Sequence, residues 1–179
     1  MKLEHLNELP EDAARAALER CCGSRVWIER MCEGRPYRNR AGLFAAAERV
    51  ADKLRRADWL EAFASHPRIG ERAAMPAGAP AAGAAPGTPS SAAWAGEEQR
   101  GAAQAPQATL DALAEGQRAY EEQFGYLFIV CATGKSADAM LALLQARLAN
   151  DPDTELVNAA REQRAITRLR LEKLLKESA

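Results

Sequence analysis

Apolar residues recur at three- and four-residue spacing along most of the chain, a pattern that predicts helices. In the first third, the predicted helices run from Leu9 to about Cys22, from Ser24 to about Glu33, for about four turns from Ala41, and through W-L-E-A-F-A-S after Asp58. Proline and acidic residues open the first of these helices, and Gly23 ends it.

The same spacing predicts four further helices in the second half of the chain. They run from Ala92 to Gln104, from Thr109 to Phe124, from Ala137 to Ala149, and from about Thr154 to Lys176. Gly125 and Ser136 are typical cap residues. The apolar run 126–132 suits a buried extended segment, and one buried helical turn fits its periodicity equally well. With about eight helices and no convincing second strand, the pattern predicts an all-α fold, a single compact domain over 1–179 with a long C-terminal helix.

One stretch departs from this pattern. Residues 73–91 are nearly all Ala, Gly, Pro and Ser, with neither apolar periodicity nor charge. That composition predicts a flexible loop or insertion, which could be passive or could act as a lid.

Composition and charge exclude several classes of function. The 24 basic and 25 acidic residues are interspersed and leave a net charge of −1, so we expect no nucleic-acid partner. No signal peptide and no apolar run of membrane-spanning length is apparent. Four cysteines without C-x-x-C spacing indicate reduced thiols in the cytoplasm. Two histidines without H-E-x-x-H or carboxylate clusters give little basis for a metal, so we expect chemistry without a metal or cofactor.

His66 is the candidate acid–base residue, because the other histidine, His5, lies in a polar N-terminal segment that is expected to fray. In S-H-P-R, a residue before proline is pushed out of the α region, so the preceding helix must end there. A helix C-terminus favours imidazolium, and an unperturbed histidine titrates near pH 6.5. The alternative is a histidine that merely ends the helix by bonding to its last carbonyls.

A carboxylate is predicted to point inward from W-A-G-E-E-Q. Glu98 follows Trp94 by four residues and shares its helix face, whereas Glu97 is turned about 100° away. Partial desolvation beside an indole would raise the pKa of Glu98. The alternative is an ordinary surface acid.

The C-terminal helix carries one arginine on its apolar face. On an ideal wheel, Ala159, Gln163, Ile166, Arg170 and Leu174 all fall within about 80° of Leu156, whereas Arg161, Arg164 and Arg168 gather on the polar side. A buried guanidinium needs an anion or several acceptors. Arg170 should therefore meet either an internal carboxylate or a bound anionic substrate.

The segment C-A-T-G-K-S ends like the phosphate-binding loop of nucleotide triphosphatases. Ile129 stands where that loop requires a glycine, so the motif is not matched. The segment instead predicts a turn in which Ser136 caps the next helix.

Four segments in order, S-H-P-R-I-G, W-x-x-x-E-Q, F-G-Y-L-F-I-V-C-A-T-G-K-S and I-T-R-L-R-L-E-K-L-L, resemble the 2-oxo-4-hydroxy-4-carboxy-5-ureidoimidazoline (OHCU) decarboxylase family of urate degradation. The resemblance covers nearly the whole chain from Leu6 to Leu175. It implies an all-α fold, usually dimeric, and cofactor-free conversion of OHCU to (S)-allantoin and CO₂.

The resemblance also implies roles for individual residues. His66 and Glu98 would be catalytic, and the substrate-binding residues would be Pro67, Gln99, Phe128, Ile129, Val130, Cys131, Ala132 and Arg170, with Arg168 as a weaker candidate for the arginine. Two features depart from the family's pattern: Ala95 replaces the motif serine, and the stretch between His66 and Glu98 is longer than usual. Ala95 motivates an alternative, a non-catalytic helical ligand-binding or interaction module on the same scaffold.

Overall fold

The structure is a computed structural model that describes residues 1–70, 91–102 and 105–176. The predicted loop therefore lies outside the described residues, except for Ser91, where a helix begins. The described residues form nine α-helices, one 3₁₀ turn and no strand, which confirms the all-α prediction. The helices are α1 Leu3–Glu8, α2 Glu11–Glu19, α3 Arg25–Glu33, α4 Arg40–Ala51, α5 Arg56–Ala64, α6 Ser91–Glu98, α7 Gln107–Phe124, α8 Ala137–Arg147 and α9 Pro152–Lys176, and the 3₁₀ turn is Arg100–Ala102.

The N-terminal segment is helical, so the expectation that it frays was wrong. Leu3 and Leu6 of α1 are buried at 8% and 0% exposure. The α-amino group of Met1 donates to the carbonyl of Leu174 at 2.9 Å, which ties the start of the chain to α9. Two apolar anchors in a six-residue helix were too few to show as a periodic pattern.

Caps are found at three helix ends, and two of them, Ser136 and Gly125, were predicted. Ser24 Oγ accepts from the amide of Trp27 at 3.3 Å, and Ser136 Oγ accepts from the amide of Ala139 at 3.2 Å. Gly125 ends α7 with φ 79°, the left-handed conformation that favours glycine at this position. The C-A-T-G-K-S segment is therefore a turn leading into a capped helix.

Two apolar clusters make up the core, and α9 contributes to both. Leu171 and Leu174 pack in a cluster built mainly by α1 to α4. Ala159 and Ile166 pack in a cluster built by α5, α7, α8 and the run 126–132. α9 also buries polar residues, and three of them lie in its middle, among these two sets of apolar side chains.

The run 126–132 lies outside any helix, so the helical-turn alternative was wrong. Its side chains at Phe128, Ile129, Val130 and Ala132 are buried. It is followed directly by the turn into α8, which packs closely on α7: a Cβ added at Gly116 would lie 2.7 Å from the side chain of Leu144.

Candidate acid–base site

One face of α9 places three polar side chains in the protein interior. Gln163, Thr167 and Arg170 follow one another at four and three residues, which puts them on the same side of the helix. They are 0%, 7% and 3% exposed, respectively. The wheel prediction that Arg170 lies on the buried face is confirmed, and Gln163 shares that face. Polar groups buried to this degree require internal partners.

His66 supplies the partner of Gln163. Helix α5 ends at Ala64 with Ser65 as its C-cap, and the amide of His66 donates to the carbonyl of Phe63 at 3.1 Å. The imidazole Nε2 lies 2.8 Å from Gln163 Oε1. The ring therefore reaches across to α9 and does not bond to the last carbonyls of its own helix.

The electrostatic surroundings of His66 reverse the expected effect of the helix end. Burial, the largest cause, and the positive charge of Arg170 together lower the pKa of His66 to about 4, and the hydrogen bond with Gln163 opposes the shift. The prediction that the helix terminus would favour imidazolium was wrong, because desolvation and a nearby guanidinium outweigh the carbonyl dipoles. His66 is thus a neutral imidazole at pH 7.

Glu98 supplies the partner of Arg170. Its two carboxylate oxygens accept from Arg170 Nε at 3.2 Å and Nη2 at 3.0 Å, and Lys173 Nζ lies 3.4 Å away. Arg170 Nη1 also donates to the backbone carbonyl of Arg20 at 3.4 Å. Two parallel bonds between guanidinium and carboxylate are the strong bidentate form of this pair. Of the two alternatives for Arg170, the structure contains the internal carboxylate.

The choice between the two neighbouring glutamates is also confirmed. The Glu98 side chain is 8% exposed, whereas that of Glu97 is 53% exposed and pairs with Lys173 at 3.0 Å. The indole of Trp94 does not stand alone beside Glu98, because the guanidinium of Arg20 lies 4.1 Å from the centre of its ring. The carboxylate is therefore in a cationic environment, not the purely apolar one expected beside an indole.

α9 brings the two proposed catalytic groups into one region. His66 meets α9 at Gln163, and Glu98 meets it at Arg170, seven residues and so about 10 Å further along the axis. Gln99 adds a second link, since its Oε1 accepts from the amide of Gly70 at 3.2 Å. These contacts hold the segment after His66 against the end of α6.

Two other residues considered in the sequence lie as follows. Arg168 is exposed, pairs with Glu172 at 3.6 Å and lies 5.0 Å from the centre of the Phe44 ring, so it is not part of the buried cluster. Ala95, which replaces the family's motif serine, is 3% exposed on α6.

Backbone groups of the apolar run are held by charged side chains. The carbonyl of Ile129 accepts from Arg147 Nη1 at 2.7 Å, and the amide of Cys131 donates to Glu162 Oε2 at 2.8 Å. The carbonyl of Cys131 accepts from Lys135 Nζ at 2.7 Å. The run is therefore fixed on both sides of Val130 by residues of α8, of α9 and of the turn that precedes α8.

A buried polar network supports Arg147. Its Nε donates to Glu155 Oε1 at 2.7 Å, and Glu155 is fully buried. Glu155 also accepts from the hydroxyl of Tyr120 and from Asn150 Nδ2, the latter at 2.7 Å. Because the buried carboxylate has three donors, it can remain charged and hold the guanidinium in place.

Sequence reasoning missed this network and the role of Gln163. For Gln163 a signal was present, because a glutamine interrupts an otherwise apolar stripe of α9. For Arg147 and Glu155 no local signal distinguishes them from surface charges. Their burial depends on how α7, α8 and the run 126–132 pack.

The described residues contain neither a group of metal ligands nor a membrane-spanning helix. No three side chains among their His, Cys, Asp and Glu residues are grouped so that they could hold a metal ion. No helix in the described ranges has the length and apolarity needed to cross a membrane.

A helical fold with a half-buried histidine, a bidentate Glu–Arg pair and a buried apolar run has the kinds of group that proton transfer and anion pairing require. Comparison with known proteins is more specific. The family model of OHCU decarboxylase matches residues 7–172. The chain therefore belongs to the OHCU decarboxylase family.

Two curated relatives and two solved structures are similar to this chain. The uric acid degradation bifunctional protein TTL of Arabidopsis thaliana is 32% identical over 159 residues, covering 89% of this chain and 46% of that protein. The chain thus spans about half the length of that relative. The 2-oxo-4-hydroxy-4-carboxy-5-ureidoimidazoline decarboxylase of Haloferax volcanii is 26% identical over 182 residues, covering 96% of this chain and 94% of that protein.

Among solved structures, an OHCU decarboxylase crystallised in the presence of (S)-allantoin matches with a TM-score of 0.71 and 32% identity, covering 89% of this chain and 96% of that one. A structure of (S)-allantoin synthase matches with a TM-score of 0.67 and 17% identity, covering 99% of this chain and 55% of that one. The second match supports the fold alone.

Proposed function

We propose that this chain decarboxylates OHCU to (S)-allantoin and CO₂ in urate degradation, without a cofactor. Membership of the OHCU decarboxylase family supports the reaction. The observation that carries the site concerns the two groups implied by the family resemblance. His66 contacts Gln163 and Glu98 contacts Arg170, and both partners lie on one buried face of α9.

The substrate's chemistry sets the task. OHCU carries a carboxylate and a hydroxyl on one ring carbon and a ureido group on the next. Loss of CO₂ breaks the bond between ring carbon and carboxylate, and its electron pair moves into the adjacent conjugated ring. The hydroxyl then becomes a carbonyl by losing its proton, and the neighbouring carbon gains a proton on one face. The ring that received the electron pair takes up one further proton from solvent. The enzyme must stabilise the developing negative charge and choose the face.

In this proposal His66 moves the proton. A neutral imidazole with a pKa of about 4 can accept the hydroxyl proton at pH 7, and the resulting imidazolium, destabilised by burial and by Arg170, is a strong acid that returns the proton to carbon. One residue would therefore serve as base and then as acid, without a proton stored in the resting enzyme.

Glu98 and Arg170 would act as a pair. Arg170 is held in place by two bonds to Glu98, so its guanidinium would face the anionic substrate without first losing side-chain freedom. Glu98 would hold the guanidinium in this orientation and would share the work of proton transfer with His66. The desolvated surroundings would favour departure of the carboxylate as neutral CO₂.

The remaining contacts would orient the ring and the ureido group. Pro67, Gln99 and the run Phe128, Ile129, Val130, Cys131 and Ala132 are the proposed lining. The Ile129 carbonyl and both backbone groups of Cys131 are already bonded to side chains. Among the amides of this run, only that of Cys131 donates to a described residue, so the amides of Phe128, Ile129, Val130 and Ala132 are the backbone groups we assign to the substrate.

The test is to generate OHCU in place from urate, with urate oxidase and 5-hydroxyisourate hydrolase, and to follow the circular dichroism of (S)-allantoin. Wild type should give a fast, one-handed signal, and folded His66→Ala should fall to the spontaneous rate. His5→Ala is the matched control, because it removes the other histidine, on the distant α1, and should retain activity. Near-normal turnover by His66→Ala would refute the assignment.

A non-catalytic ligand-binding module is the competing proposal, and the missing hydroxyl at the buried Ala95 is the observation behind it. Such a protein would retain or protect OHCU and release no CO₂. Racemic product at the spontaneous rate with wild type would therefore favour it.

We also propose that the protein is one domain and acts as a cytoplasmic homodimer. The dimer rests on the family resemblance. The cytoplasmic assignment is supported by four cysteines, none of which forms a disulfide. Analytical ultracentrifugation at micromolar concentration would check the dimer: a species of twice the 19.4 kDa chain mass is expected, and a monomer alone would exclude it.

A further inference from the structure

We propose that Gln163 is a positioning residue: it holds the His66 ring through the Nε2 proton and leaves Nδ1 as the atom that exchanges a proton with the substrate. The catalytic part of this inference rests on the proposed function. The hydrogen-bond assignment is independent of it.

In the structure the Gln163 amide points its oxygen toward His66 and its nitrogen toward Thr167. Gln163 is fully buried, so protein groups must satisfy both ends of its amide. Its Nε2 donates to Thr167 Oγ1 at 3.3 Å, four residues along α9, and its Oε1 lies 2.8 Å from His66 Nε2. A carbonyl oxygen only accepts, so the ring nitrogen that faces it must carry the proton.

This arrangement decides which ring nitrogen is reactive. A neutral imidazole carries one proton, and here that proton is at Nε2, so the lone pair is at Nδ1. In the described part of the chain, Nδ1 has no hydrogen-bond partner. A proton taken from the substrate would therefore be received at Nδ1 while the ring stays anchored at Nε2.

The charges around the ring explain why the anchor is an amide. Arg170 lies on the same face of α9 and disfavours imidazolium, and it is itself paired with Glu98, which Lys173 also approaches. A neutral acceptor orients the ring without stabilising its charged form as strongly as a carboxylate would. The imidazole then remains a base at neutral pH and a strong acid once protonated.

Nitrogen-15 NMR of the histidine side chains tests the assignment directly, because the chain contains only two imidazoles and His5→Gln identifies the signal of His66. In wild type, Nε2 should carry a slowly exchanging proton and Nδ1 should carry none. Gln163→Leu should speed exchange of that proton by about tenfold or more, because its acceptor is lost. Gln163→Glu should raise the pKa of His66 by more than about one unit, because a carboxylate stabilises imidazolium.

Kinetics of the same variants test the catalytic part. Gln163→Leu should lower kcat by about 10- to 100-fold, part of the range for general acid–base catalysis, with a much smaller change in KM. Gln163→Glu should shift the acidic limb of the pH–rate profile to higher pH. Gln117→Leu is the matched control: Gln117 is 2% exposed and bonds to the backbone of Ile69, so its loss should lower stability without changing the His66 signals.

The outcomes separate the two proposals. A wild-type spectrum with the proton at Nδ1, or Gln163 variants with unchanged exchange, pKa and kcat, would overturn the positioning role. Wild-type decarboxylation together with an undiminished kcat in Gln163→Leu would overturn it while leaving the proposed function intact. The expected NMR changes in a wild type that releases no CO₂ would uphold the hydrogen-bond assignment and reject the reaction.

Discussion

Lowering the pH should destabilise this protein through His66. The unfolded chain binds a proton at His66 near pH 6.5, whereas burial and Arg170 keep the folded chain from doing so until about pH 4. Between these values the unfolded state binds more protons, so the free energy of unfolding falls as the pH falls through this window. Below pH 4 both states are protonated and this residue adds no further loss.

The magnitude follows from the two pKa values. When the pH is lowered from 7.5 to 5, the final pH lies about 1.5 units below the pKa of His66 in the unfolded chain. Each of these units lowers the free energy of unfolding by about 1.4 kcal/mol. His66 should therefore contribute a loss of about 2 kcal/mol over that interval. For a domain of this size, such a loss corresponds to a decrease in Tm of about 4 to 8 °C.

Urea unfolding of wild type and His66→Gln at pH 7.5 and pH 5 measures this contribution. Carboxylates also titrate toward pH 5, and comparison of the two proteins cancels their shared effect. Wild type should lose about 2 kcal/mol more than His66→Gln on acidification. His5→Gln, which changes the histidine of α1, should behave as wild type.

If the free energy of unfolding depends on pH equally in wild type and His66→Gln, then His66 has the same pKa in the folded and the unfolded state. The account of a neutral, desolvated imidazole would then be wrong, and so would the proposal that the resting enzyme uses it as a base. A larger loss in His66→Gln than in wild type would reverse the sign of the argument.

Four further substitutions have defined expectations. Arg170→Met should destabilise by about 3 kcal/mol in urea unfolding, because it leaves the largely buried Glu98 without its bidentate partner, and adding Glu98→Gln should recover part of the loss. Arg147→Met should cost about 3 kcal/mol and lower kcat, because the buried network loses its cation and the substrate-lining run loses an anchor. Gly101→Ala should cost about 1 to 3 kcal/mol in thermal unfolding, because its Cβ would overlap a backbone carbonyl of the turn before α8. Gly96→Ala, where no described atom lies within 4 Å of the added carbon, should be neutral or stabilising.

The candidate site could be predicted in part from local patterns. Helical spacing separated Glu98 from Glu97 and placed Arg170 on the buried face of α9, since both conclusions depend only on the angle between residues of one helix. Proline after His66 located the end of α5 for a similarly local reason. The identity of each residue's partner was not local: Glu98 and Arg170 are 72 residues apart in the chain.

The pKa of His66 shows where local reasoning failed. A helix terminus was visible in the sequence and indicated a stabilised imidazolium. Burial and the position of Arg170, 104 residues further along the chain (170 − 66), decided the opposite. Desolvation depends on how much protein surrounds a group, and no sequence window contains that information.

The sequence by itself therefore determined eight of the nine described helices, the caps at Gly125 and Ser136, and the family to which the chain belongs. These properties arise from the 3.6-residue period, from cap chemistry and from motifs a few residues long. Only the tertiary structure decided that Gln163 bonds to His66, that Glu98 pairs with Arg170, and that Arg147 and Glu155 are buried beneath the run 126–132. The physical reason is that hydrogen bonding and desolvation act over a few ångströms in space, between residues that the chain separates by as many as 173 positions.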